Sequence, residues 1–276
     1  MLEKRMYKTA VKNADCRKQY ISAINSGKPM FFISLETTGL DPMTDQVIGI
    51  RIIQSHINDR QFVLDGEKAL LMKPDQPLDS NIEKISGITN EMLAKAKDPE
   101  TIMAEIYDII GQDPVLFGWN MEDFVIPFLK NAGFYSGYMV TPEFSIDLME
   151  ISQSLLPKGK NLTSYSLKNV ASYLNVTGND KVGTCFRLAN ELSAYIPLGS
   201  EHTGIKSANY WTKGHNTRFL FFETDHGKVS LNCVNGYWME STPGFFDAVD
   251  MDGFTKYVCS KRNVSSIWDF IHLYEK

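Results

Sequence analysis

A chain of 276 residues, 43% of them apolar, suits one core domain with a small appendage. It contains neither the roughly 18-residue apolar run of a membrane span nor a signal-type N-terminus, so an intracellular, cytoplasmic protein is expected. Residues 1–28 carry seven Lys or Arg against two acids, and their +5 leaves −10 on the rest of a chain whose total is −5; that acidic body excludes tight, non-specific binding to phosphate backbones outside the N-terminal segment.

Asp15 is placed to cap a short basic helix through Ile21 and Ile24 that stops near Gly27. Met30–Ile33, Val47–Ile53 and Gln61–Leu64 read as three strands, with the polar Asn58-Asp59-Arg60 as a turn, which predicts a meander. Asp79-Ser80-Asn81 opens a short helix. Asp98-Pro99-Glu100 opens a longer one through Ile102, Ile106, Ile109 and Ile110 to Gly111, with proline at the first helical position. Val115–Phe117 is again a strand, Phe124–Leu129 starts a helix, and Phe144–Ile146 runs into the capping-box pattern Asp147 to Glu150. Leu167, Val170, Ala171 and Leu174 share a helical face, and Leu188, Leu192 and Tyr195 continue another. Beyond Gly199 the texture changes. Arg218–Glu223, Lys228–Cys233 and Tyr237–Glu240 read as strands joined at Asp225-His226-Gly227 and Asn235-Gly236, followed by helical patterns around Phe254, Tyr257 and Val258 and around Ile267, Trp268 and Ile271. The body is therefore α/β, a mixed sheet flanked by helices, with a small β-rich α+β appendage.

Cys16, Cys185, Cys233 and Cys259 form no CxxC pair, and the five histidines lack HExxH or finger-like spacing, so neither a zinc site nor a disulfide framework is expected. Aromatic residues of the tail, among them Trp211, Phe219 and Trp238, are candidates for core packing or for stacking on a partner.

Four stretches in order carry a family resemblance: FFISLETTGLDP from Phe31; the segment 70–111 with its Pro, Ile, Gly-Ile-Thr and Met-Leu; LFGWNMEDFVIPFL from Leu116; and the helix and linker from Ile146 to Val176. Together they resemble the DnaQ-like (DEDD) 3′ to 5′ exonucleases of the proofreading and RNase T type. The resemblance implies a ribonuclease-H-like fold with a five-stranded mixed sheet over residues 29–200, between a basic N-terminal segment 1–28 and a C-terminal domain 201–276 of no recognised family. It also implies hydrolysis of DNA or RNA by two Mg²⁺ or Mn²⁺ held about 4 Å apart by carboxylates, which clamp the attacking and leaving oxygens.

Against that pattern the site is degenerate. Ser34 stands two residues before Glu36 where the family has an aspartate, and alternation sends both side chains to one face of the strand. Val125 takes the place of the second aspartate, Cys185 that of the histidine base, and Asn190 that of the last aspartate. Only Glu36 survives as a metal ligand, so no cofactor is expected. Thr37, Thr38, Gly39 and Leu40, with Asn120, are the candidate contacts to a terminal nucleotide. The expected function is that of an exonuclease fold without catalysis, a regulatory module that binds a nucleic-acid 3′ end or a protein partner and no membrane. One alternative is an active Mg²⁺- or Mn²⁺-dependent exonuclease in which Asp123, Asp147 or Glu191 rebuilds the site; another is a scaffold acting through residues 201–276.

Overall fold

The computed structural model describes residues 16–59, 61–156 and 161–193, and the backbone of four strands between 205 and 240. The chain divides into two compact units, residues 19–193 and residues 1–18 with 194–276.

Helical backbone at 16–24 (α1) precedes β1 (Met30–Thr37), β2 (Val47–Asn58) and β3 (Gln61–Leu71). β2 pairs antiparallel with both β1 and β3, the predicted meander. β3 buries little besides Phe62 and Leu70 because it is an edge strand, so its apolar pattern fades and the sequence reading ends it at Leu64. Then follow α2 (Ser80–Ser86), the single turn α3 (Asn90–Leu93) and α4 (Pro99–Ile110). Asp79 and Asp98 cap α2 and α4 through their side chains, and Pro99 opens α4, as the sequence predicts.

β4 (Val115–Gly118) leads into a π-helical turn, Met121–Val125, and α5 (Ile126–Ser136); β5 (Phe144–Asp147) leads into α6 (Leu148–Leu155), followed by α7 (Leu167–Tyr173) and α8 (Lys181–Ser193). β4 lies parallel to both β1 and β5, giving the order β3-β2-β1-β4-β5. This is the expected mixed five-stranded sheet.

Alternation along β1 divides the core. Phe31, Ile33 and Leu35 pack with Ile50, Ile52, Ile102, Ile106 and Phe128 under α4 and α5. Phe32, on the other face, stacks on Phe117 at 5.0 Å, and Phe62 and Phe186 meet it edge-on at 5.0 and 5.2 Å. Helix α8 packs on this second face, where Tyr20 of α1 donates to the Ala189 carbonyl and shares a hydrogen bond with Ser193.

The second unit contains a four-stranded antiparallel sheet, β6 (Ile205–Lys213), β7 (Thr217–Thr224), β8 (Gly227–Val234) and β9 (Tyr237–Glu240), in chain order. The last three are the strands predicted. β6 escapes the sequence reading because Lys206, Ser207 and Asn209 interrupt its alternation. The tail's aromatic side chains, the two closing helical patterns and the proposed cap Asp15 lie outside the described residues.

Candidate functional site

The end of β1 builds the site. Ser34 and Glu36 do share a face, opposite Arg51 and Gly49 of β2. Glu36 has room because its neighbour is glycine: a Cβ on Gly49 would lie 2.8 Å from the Ile88 Cδ1 and 3.5 Å from the Glu36 Cβ. What faces Glu36 from the far end of the unit is Lys181, the first residue of α8. Its Nζ lies 2.7 Å from Oε1 and 2.8 Å from Oε2 of Glu36.

A second ion pair runs beside the first. Arg51 Nη1 lies 2.8 Å from Oδ2 of Asp180, whose other carboxylate oxygen accepts from the Gly183 N–H at 2.8 Å. Asp180 thus caps α8 while Arg51 holds it, and consecutive residues of opposite charge clamp the N-terminus of α8 to β1 and β2. An acid in this position also complements the positive end of the helix dipole.

In the third segment, one of the two residues assigned by the sequence reading is buried and the other has a partner other than Glu36. Cys185 is buried, and burial pushes its thiol far above the usual range. Asn190 faces β3, where its Oδ1 accepts from the Phe62 N–H at 2.6 Å and its Nδ2 donates to the Phe62 carbonyl at 3.1 Å. Neither reaches Glu36. From α8, Lys181 lies on Glu36 and Phe186 on Phe32.

The remaining acids do not converge on Glu36. Val125 is 2% exposed within the core under α5 and offers no ligand atom. Asp123 and Glu191 are exposed. Asp147 is buried and accepts backbone N–H bonds from Asn120 at 3.0 Å, Met121 at 2.9 Å and Met149 at 2.8 Å. It fixes the turn from β4 into the π-helical segment, where Asn120 takes a left-handed φ of 58°. Burial raises its carboxyl pKa, and the three N–H groups oppose that rise. Among the described residues no group of three or more His, Cys, Asp or Glu is placed to hold a metal ion. The donor set at Glu36, a serine hydroxyl and one carboxylate already facing an ammonium, does not fit a pair of divalent ions that need several oxygen ligands each.

The turn after β1 is well held. Thr37 donates to the Gly39 carbonyl at 2.5 Å, Thr38 donates to Asp45 at 3.2 Å, and a Cβ on Gly39 would collide with the Asp45 carboxylate. Leu40 projects from this turn, 83% exposed.

With this geometry the sequence matches the Exonuclease family profile (RNase T) over residues 31–181. The chain belongs to the exonuclease family. Its exonuclease segment is 31% identical over 150 residues to a PolC-type DNA polymerase III of Ureaplasma parvum, covering 53% of this chain and 10% of that protein. A PolC-type polymerase III of Thermotoga petrophila is 29% identical over 149 residues, again 10% of its length. The chain therefore spans about a tenth of the curated relatives it matches. Among solved structures, an exonuclease I in complex with SSB-Ct superposes with a TM-score of 0.53 at 19% identity, over 61% of this chain and 41% of that one. Exonuclease I of E. coli with a dT13 oligonucleotide superposes with a TM-score of 0.52 at 18% identity, over the same shares. These likenesses carry the fold. No described helix is long and apolar enough to cross a membrane.

Proposed function

We propose that this exonuclease-family chain no longer hydrolyses phosphodiesters and serves as a regulatory module that binds a nucleic-acid 3′ end or a protein partner in the cytoplasm. The observation that carries this reading is Lys181 seated on Glu36. Two-metal hydrolysis needs carboxylates to hold the ions and a lone pair to take a proton from water. Ser34 supplies a neutral hydroxyl, Val125 supplies nothing, Cys185 is buried, Asn190 is bonded to the Phe62 backbone, and the Lys181 ammonium donates without accepting. Lys181 brings one fixed positive charge to the one carboxylate left in the cleft. The Glu36–Lys181 pair is neutral in the absence of any divalent ion.

The polymerase relatives favour single-stranded DNA as the first strand to test. The experiment is degradation of 3′-labelled single-stranded DNA and RNA in Mg²⁺ or Mn²⁺, beside a Glu36→Ala control and a binding titration in EDTA. No cleavage together with binding in EDTA is the result expected of a nucleic-acid module, and no cleavage without binding assigns the unit to a protein partner. Cleavage that disappears in Glu36→Ala would overturn the reading.

A further inference from the structure

A groove of about 640 Å³ opens between the 43–47 segment, the residues just after β3, the start of α4 and one face of α5; neither Glu36 nor Lys181 lines it. Its volume falls in the range of sites that hold a small ligand or a few side chains. Val47, Met72 and Phe128, all buried, form its apolar floor, and Met43 and Tyr135, 80% and 79% exposed, stand at its mouth.

Four carboxylates line the groove, those of Asp45, Asp75, Asp98 and Glu100, against the single ammonium of Lys73. None of the four is paired with a cation among the described residues, whereas Glu36, Glu67, Glu105, Glu143 and Asp180 are. Their hydrogen bonds go instead to the chain that shapes the rim. Asp45 accepts from the Asp41 N–H at 2.9 Å, Asp75 accepts from the Gln46 side chain at 2.7 Å, and Asp98 caps α4. Asn131 of α5 donates to the Pro42 carbonyl at 2.7 Å and ties the loop to the helix. The walls are therefore held before anything binds, which lowers the ordering cost of docking.

We propose that this groove docks a short basic segment of a partner protein, with an aliphatic or aromatic side chain between Met43 and Tyr135 and Lys or Arg side chains on the acidic rim. The inference rests on the reading of the chain as a binding module and names the partner as protein. Unpaired carboxylates repel a phosphate backbone and attract cationic side chains. Tyr135 offers a rigid aromatic face of the kind that dominates protein interfaces and stacks with Arg.

A random dodecapeptide display library panned on the full chain tests the proposal, with Glu100→Lys and Tyr135→Ala as counter-selections. Both residues are exposed, so the variants fold. The expected enriched peptides carry Lys or Arg beside a large apolar residue, and a synthetic one binds at least about tenfold more weakly to either variant, the loss of about 1.4 kcal/mol. Its binding weakens with added salt and survives an excess of dT12. No enrichment, enrichment of uncharged or acidic peptides, equal binding to both variants, or displacement by dT12 would each overturn the proposal. None of these readouts involves cleavage, so an active nuclease and an empty groove are separate failures.

Discussion

The two charged places in the exonuclease unit have been treated differently. At the end of β1 each charge has found a partner within the chain: Glu36 meets Lys181, and Arg51 meets Asp180. Around the groove beside α4 and α5, four carboxylates stand without a cationic partner among the described residues. At the end of β1 the charge is neutralised within the chain. Around the groove it stays open, which is the ground for the proposed basic partner. The comparison teaches that the segment carrying a family motif and the most open charged surface can lie apart in one unit.

The comparison breaks first at packing. If the α8 side is closed by its aromatic cluster, Phe32→Ala, at 0% exposure and in contact with Phe62, Phe117 and Phe186, should cost about 3–5 kcal/mol in urea unfolding. Asn190→Leu should cost about 1–3 kcal/mol by leaving the Phe62 backbone groups unbonded, and hydrogen exchange at the β3 edge should rise with it. By contrast Lys181→Met should cost less than about 1 kcal/mol, because the pair is partly exposed, and on the proposed reading it should cleave no labelled strand. A large loss there would mean that charge, not packing, closes this side. On the groove side, Tyr135→Ala should shift stability by no more than about 0.5 kcal/mol while removing peptide binding. The smallest effect is in pH. Burial raises the carboxyl pKa of Asp147 in the folded state, so ionisation favours the unfolded chain as pH climbs past the ordinary carboxylate range. Relative to Asp147→Asn, the natural chain should therefore lose stability with rising pH through that window and stay level above it. A gain over the same window would reverse the sign assigned to its burial.

Much of this was legible in the sequence, and for local reasons. The caps at Asp79, Asp98 and Asp147, the proline at the start of α4 and the apolar runs of β1, β4 and β5 act within a few residues, and each appears where predicted. The shared face of Ser34 and Glu36 was also readable, since strand alternation determines where they point. Lys181 was not. Its role depends on a partner 145 residues away. The groove was invisible for the same reason, because four separated segments build it. The π-helical turn at Met121–Val125 also escaped the sequence reading.

The crossed ion pairs at the start of α8 also set an order of events. They join residues 145 and 129 positions apart, among the most distant contacts of the unit. A growing chain emerges from the ribosome with β1 and β2 long before α8, and contacts of such separation form late because the intervening loop must close first. During synthesis Glu36 therefore waits without Lys181 on a nascent sheet, while Arg51 has Glu67 of β3 within 3.9 Å. The cleft shuts only when Asp180 and Lys181 arrive, which makes that closure a marker for completion of the fold.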